Sequence, residues 1–254
     1  MRTYCIRLAY DGTEYAGWQR QSNAPSIQAA VEAAAAKING APTDVLGAGR
    51  TDAGVHALRQ AARFRTSRDI SEERVPYALN TGLPDDIVVL DAMERPASFH
   101  PIGDATGKRY RYTLRRAPFD SPFDRRYVHR IDDRPDLDAM RAAAAVLEGT
   151  HDFRGFEKSG SPRPSTVRTL RRVAIRESDA YIWLEFEGDG FLYGMARNLA
   201  GSLLRVGRHK LAPDVLAAGL EAADPSVAGP CMPAAGLTLV DVAYPFARRG
   251  EWSV

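Results

Sequence analysis

The chain has 254 residues, 44% of them hydrophobic and 26% charged, a composition that suits a globular protein of one or two domains able to bury a sizeable core. Its net charge of +2 singles out no partner, and two cysteines, Cys5 and Cys231, are too few for a disulfide framework and lack neighbours at metal-ligand spacing. Each is expected to pack as a small buried residue. Met1 to Tyr10 alternates polar and apolar residues with no basic stretch leading into an apolar run, and no later apolar run is long enough to cross a membrane, so neither export nor insertion is expected.

Residues 3–10 alternate as a strand, and Ser26 then caps an Ala-rich helix running to Asn39. Strands follow over 43–48 and 55–66. Ser71, with Glu72 and Glu73 in the first turn, opens a second helix that stops near Gly82 and Pro84, and a strand over 86–95 completes the set. The order is β-α-β-β-α-β, the split βαβ of ferredoxin-like domains. A second half repeats it: a strand over 106–116, a helix over 135–147, strands over 166–178 and 180–188, helices over 194–207 and 212–222, and a strand over 237–243. Pro96, Pro101 and Gly103 break the periodicity between Arg95 and Ala105. The expectation is an α+β protein of two halves, 1–100 and 101–254, whose sheets meet around a cleft.

Positive charge is unevenly placed and nearly all arginine. Between Lys108 and Arg130 lie Arg109, Arg111, Arg115, Arg116, Arg125 and Arg126, opposed by Asp120 and Asp124 and interleaved with Tyr110, Tyr112 and Tyr127. Arg163, Arg168, Arg171, Arg172 and Arg176 form a second run. Arginine forks with interleaved aromatics suit a nucleic-acid surface, while a solvated face in an Arg-rich protein accounts for the same pattern equally well.

Gly47-Ala-Gly-Arg-Thr-Asp-Ala-Gly-Val-His-Ala57 is a polar loop between two expected strands. Its three glycines allow tight turns that push the Asp52 side chain outward. It is no Walker loop, because no Lys-Ser or Lys-Thr pair follows the glycines. His56 and the dispersed His100, His129, His151 and His209 read as structural histidines, and no metal site is expected. On these grounds alone Asp52 reads as a turn-forming residue.

The string GAGRTDAGVHA, together with YDGTEYAGWQRQ at 10–21, resembles the tRNA pseudouridine synthase A family. Four further ordered strings do too: KRYRY from Lys108, GTHDFRGF from Gly149, GFLYGMARNLAG from Gly190 and PAAGLTLVDVAY from Pro233. Only AGPCM at 228–232 departs from a stretch that the family fills with more Arg and Thr. The resemblance implies the pseudouridine synthase fold with a central basic cleft, and isomerisation of uridine to pseudouridine at positions 38, 39 and 40 of the tRNA anticodon stem-loop. It further implies a cytoplasmic homodimer, no cofactor and no membrane association.

By matching position, Asp52 of the RTDAG string is the implied nucleophile. Its carboxylate attacks ribose C1′ or uracil C6, or removes a ribose proton, and the sequence does not choose among these. An ionised Asp in an enclosed site needs a cation, and the Arg of GMARN, Arg197, is the implied ion-pair partner. The first Tyr of KRYRY, Tyr110, is implied to lie against the target base, and Arg50 to flip or hold the substrate. Phe191, Leu192 and Met195 are candidates for apolar walls near Arg197. Two readings of other classes stand beside this one. A non-catalytic structured-RNA-binding protein would show substitution at Asp52, Tyr110 or Arg197, and all three are present. A hydrolase with paired carboxylates would need Asp11 or Glu14 beside Asp52.

Overall fold

The computed structural model describes residues 1–158, 160 and 164–246. It is a mixed α/β protein that divides into two compact units, Met1–Thr106 together with the stretch from Leu239, and Gly107–Thr238. The division falls next to the expected Pro- and Gly-broken boundary. The stretch from Leu239 falls in the first unit and not in a continuous 101–254 half.

The first unit runs β1 (Arg2–Tyr10), α1 (Ile27–Asn39), β2 (Leu46–Gly47), β3 (His56–Thr66), α2 (Val75–Asn80) and β4 (Ile87–Arg95). Strand β1 is antiparallel to β3 on one side and β4 on the other, and β2 pairs antiparallel with β3. Tyr4, Ile6, Leu8 and Tyr10, two residues apart on β1, are all buried, as the strand's period of two requires. Helix α1 begins where Ser26 accepts a hydrogen bond from Ala29 N–H and ends at Gly40, whose φ of 69° is left-handed.

Two elements are shorter than expected, each for a local reason. The strand over 43–48 shrinks to Leu46–Gly47 because α1 side chains take the peptide groups of Val45: Glu32 accepts from its N–H at 3.2 Å and Gln28 donates to its carbonyl at 3.0 Å. The helix opening at Ser71 shrinks to Val75–Asn80, with residues 72–74 forming a turn in which Arg74 N–H bonds the Ser71 carbonyl three residues back, the tighter spacing of a turn.

The second unit contains β5 (Gly107–Arg116), β6 (His129–Ile131), α3 (Leu137–Leu147), β7 (Gly149–Asp152), β8 (Val167–Glu177), β9 (Tyr181–Gly188), α4 (Met195–Gly207) and α5 (Pro213–Glu221). Strand β9 lies antiparallel between β5 and β8, β7 adds to β8, and β6 runs parallel to β5. Strands β6 and β7, and a short 3-10 turn over Phe153–Phe156, were not anticipated. Asp136 caps α3 by accepting from the N–H groups of Asp138 and Ala139, and α3 packs on α4 and α5. Helix α4 is buried nearly all round. Leu199 and Leu203 are fully enclosed, worth ~1.5–3 kcal/mol each, while Asn198 donates to the Phe156 carbonyl and Ser202 to that of Val227. A final strand, β10 (Leu237–Ala243), is hydrogen-bonded to β3, and its residues from Leu239 belong to the first unit.

Among the described residues no helix is long and apolar enough to cross a membrane. Cys5 is buried as expected, whereas Cys231 is only half-buried.

Candidate active site

The loop carrying Asp52, between β2 and β3, is held from beneath and from one side. Beneath it, Ala48 N–H donates to the Ala61 carbonyl at 2.8 Å, and Gln60, fully buried in β3, donates to the Gly49 carbonyl at 2.9 Å. The buried Tyr10 hydroxyl lies 2.9 Å from Thr51 Oγ1. A turn then closes from Val55 N–H to the Asp52 carbonyl at 3.1 Å, with Gly54 at a φ of 76°. Thr51 is buried while Asp52 is half-exposed and Ala53 exposed, so the loop anchors the residue before Asp52 and leaves Asp52 itself partly accessible.

The side of the loop is gripped by the segment after β1. Trp18 N–H donates to the Thr51 carbonyl at 3.0 Å, and Gly54 N–H to the Tyr15 carbonyl at 3.2 Å. The approach is close enough to demand glycine. A Cβ on Gly12 would sit 2.0 Å from the Val55 carbonyl oxygen, and one on Gly17 2.5 Å from that of Thr51, with Gly17 also at a φ of 97°. A Cβ on Gly47 would fall 2.4 Å from the Trp18 ring. The strings YDGTEYAGWQ and GAGRTDAG are therefore two sides of one clamp. Tyr10, Trp18 and Gln60 were missed as positioning residues. The first two sit inside a string already singled out, and Gln60 announces itself only as a polar residue at an inward strand position. Burial pushes the Tyr10 hydroxyl up to about 12.

His56, buried at the start of β3, has its Nδ1 3.1 Å from Gly12 N–H and 3.2 Å from Asp11 Oδ1, the structural role expected of it. Asp11 also accepts from the Thr13 N–H and hydroxyl, and Glu14 is exposed; these contacts give Asp11 work in its own turn. Arg50, two residues before Asp52 on the same loop, is exposed.

In the second unit, Tyr110 on β5 is 7% exposed, and its ring meets the edge of Phe191 with centroids 4.9 Å apart. Phe191 belongs to the segment that leads into α4. Gly194, at a φ of 72°, turns the chain into the helix, and Arg197 follows in its first turn with its N–H on the Gly194 carbonyl. Arg197 is half-buried, and its Nε donates to the Met232 carbonyl at 2.6 Å. A cation in the first turn opposes the helix dipole, and the first turn of α4 contributes no acidic residue of its own. Leu192 and Met195 are core residues. Tyr112, on the same face as Tyr110, is fully buried with its hydroxyl on the Pro233 carbonyl at 2.9 Å.

Several arginines of the basic runs have structural partners. Arg111 pairs with Glu185, Arg115 with Asp124 and Arg116 with Glu177. Arg125, Arg126, Arg171 and Arg172 are exposed. Arg163 lies outside the described residues. Among the described residues no three His, Cys, Asp or Glu side chains could together hold a metal ion.

The family model described as tRNA pseudouridine synthase matches residues 7–102 and 143–245. The matched segments hold Arg50, Asp52 and Arg197, and Tyr110 falls in the interval between them. Over 244 residues, the chain is 42% identical to a tRNA pseudouridine synthase A of Thermoanaerobacter sp. (strain X514) and 41% identical to one of Acetivibrio thermocellus, covering 96% of this chain and 100% of each relative. One of Moorella thermoacetica is 42% identical over 94% of this chain and 98% of its own. With both motif strings explained by one clamp, and with likeness along nearly its whole length, the chain belongs to the tRNA pseudouridine synthase family.

Proposed function

We propose that the protein isomerises uridine to pseudouridine in tRNA, at positions 38, 39 and 40 of the anticodon stem-loop, with Asp52 as the nucleophile. The bond between uracil N1 and ribose C1′ breaks, the base turns, and C1′ rejoins at C5. The C5 hydrogen leaves as a proton and N1 gains one, so no atom is added overall and no redox step is involved. The observation that carries this reading is the clamp on the Asp52 loop. A half-exposed carboxylate on a backbone gripped from two sides is preorganised for attack, as a nucleophile aimed at a single atom requires.

Arg197 is the cation proposed to pair with Asp52. Its support is its place in the first turn of α4, where the helix dipole and the guanidinium both call for an anion. Tyr110 is proposed to lie against the extruded base, with Phe191 fixing its ring from the edge, and the exposed Arg50 to hold the flipped nucleotide by its phosphate. The same reading takes the halves as ferredoxin-like, their sheets meeting around a basic cleft. The antiparallel order β4-β1-β3-β2 of the first unit supports it. A cytoplasmic homodimer without a cofactor completes the proposal.

The test uses unmodified tRNA carrying tritium at uracil C5. Isomerisation releases tritium to water while the RNA keeps its length and bases, hydrolysis would release base or sugar fragments, and a purely RNA-binding protein would release nothing. The absence of tritium release with purified protein would refute the proposed activity.

A further inference from the structure

The connection between β5 and β6 repeats one tripeptide, Pro118-Phe119-Asp120 and Pro122-Phe123-Asp124, and continues Arg125-Arg126-Tyr127. In both copies the Asp is tied back to the body of the second unit. Asp124 accepts from the Tyr181 hydroxyl at 2.7 Å and pairs with Arg115 at 3.1 Å, and Asp120 lies 3.5 Å from Arg130. The backbone is pinned as well. Arg115 donates to the Phe119 carbonyl and Arg130 to those of Ala117 and Pro118, while Arg125 and Tyr127 N–H groups close turns on Ser121 and Asp124. The phenylalanines point the other way, Phe119 80% and Phe123 92% exposed. A loop held by Asp124, whose two largest apolar rings stand in water beside exposed Arg125 and Arg126, is not explained by packing.

We infer that this loop is a second RNA-docking platform, on which Phe119 and Phe123 stack against unpaired bases of the tRNA while Arg125 meets its phosphates. The inference rests on the proposed tRNA substrate and adds where else that RNA is held. The flat apolar ring faces suit bases of any identity, and Arg115, Arg116, Arg125, Arg126 and Arg130 outnumber Asp120 and Asp124 along the loop and its flanks. Charge also decides between RNA and a second copy of the chain. Two copies of the loop would each bring the same arginine excess to a shared contact, whereas a polyanion is attracted to it. Seven residues of extended strand separate Tyr110 from Ala117, roughly 23 Å at ~3.3 Å per residue. The bases held here are thus distinct from the uridine undergoing reaction.

The experiment measures the Kd of the full-length protein for an unmodified full-length tRNA transcript and for a plain RNA duplex, across a salt series. Phe119→Ser and Phe123→Ser, both at exposed positions, should keep the wild-type melting temperature. Each should weaken tRNA binding at least about fivefold, the low end for a base–aromatic stack, and leave duplex binding and the salt slope unchanged. Arg125→Ala should lower the salt slope by about one. The rate at saturating tRNA should stay at the wild-type value in all three. Unchanged tRNA affinity in the Phe119→Ser/Phe123→Ser double variant overturns the inference, as does an equal loss on duplex. A shift in oligomeric state on sedimentation with tRNA affinity unchanged assigns the loop to a second copy and overturns it too. Because affinity is read without turnover, a wild-type protein that binds tRNA but releases no tritium refutes the proposed activity alone.

Discussion

Replacing Gly17 by alanine tests the clamp directly, because the added atom falls on the peptide that carries Asp52. The new Cβ would lie 2.5 Å from the Thr51 carbonyl oxygen, 3.0 Å from the Asp52 carbonyl carbon and 3.1 Å from Ala53 N, at a backbone φ of 97°. Backbone strain at such a φ costs ~1–2 kcal/mol, and relieving an overpacked contact ~1–3 kcal/mol. At about 2–4 °C per kcal/mol for a chain of this size, the melting temperature should fall by on the order of 10 °C. The surviving folded protein should turn over saturating tRNA about 100-fold more slowly, the scale expected for a 1 Å displacement of a reacting group. Gly40→Ala isolates the strain. Gly40 has a φ of 69°, but its Cβ would meet only Arg68 Nη2, at 3.8 Å, so a loss of ~1–2 kcal/mol with an unchanged rate is expected. Thermal melting followed by circular dichroism and single-turnover rates with enzyme in excess measure both quantities. If Gly17→Ala melts and reacts like Gly40→Ala, the close approach does not hold the Asp52 loop.

Asp52→Asn should abolish tritium release while leaving the Kd for tRNA within about twofold, since phosphate contacts dominate such binding; measurable turnover would remove Asp52 as nucleophile. Arg197→Met should lose most of the single-turnover rate at saturating tRNA, and Arg197→Lys should remain impaired, because an ammonium cannot bond the Met232 carbonyl and still present a planar fork; a wild-type rate in Arg197→Met would place the residue outside the chemistry. Tyr10, pushed up to about 12 by burial, holds its proton more tightly folded than unfolded, so its stabilising contribution is complete below about pH 10 and lost as pH rises toward 12. Urea unfolding of wild type and Tyr10→Phe should accordingly give a stability gap that is constant below about pH 10 and narrows as pH rises from 10 toward 12, and a gap that stays constant across that window would contradict the burial argument. Activity should survive exhaustive chelation once tRNA folding is controlled with Mg²⁺, because the isomerisation exchanges no electrons; loss restored by one specific transition metal would refute this.

The regular elements were legible wherever a period or a cap was strong. Alternation in Arg2–Tyr10 and Gly107–Arg116, Ser26 before Ile27 and the apolar spacing of Met195–Gly207 all place elements within about two residues of those observed. What escaped was decided by distant side chains. Glu32 and Gln28 claim the peptide groups of Val45, and nothing near Val45 announces that. His129–Ile131 and Gly149–Asp152 are too short and polar to show a period, and they exist because β5 and β8 offer them an edge. At the candidate site, Asp52 is singled out by its motif and not by a physical signal. The glycines were credited with freedom to turn, which holds for Gly54. For Gly47 the reason is intimacy with another segment, as it is for Gly12 and, beside its positive φ, for Gly17 of the other string, and a linear sequence does not display that.

The return of β10 to the first unit sets an order on biosynthesis. Residues 107–238 leave the ribosome as one continuous stretch, whereas β3 must wait for Leu239–Ala243 to be made before it gains β10 as a neighbour. At ~5–20 residues per second, the intervening chain takes on the order of 10 s to synthesise. Throughout that time the strand that follows the Asp52 loop has part of an edge unpaired, and Leu239, Val240 and Val242, all buried in the finished protein, are not yet there to cover it. A nascent chain stalled in this interval is where an edge-seeking chaperone or a strand from another polypeptide would find a vacancy. The first unit, although its strands β1 to β4 are made first, is among the last parts to be completed.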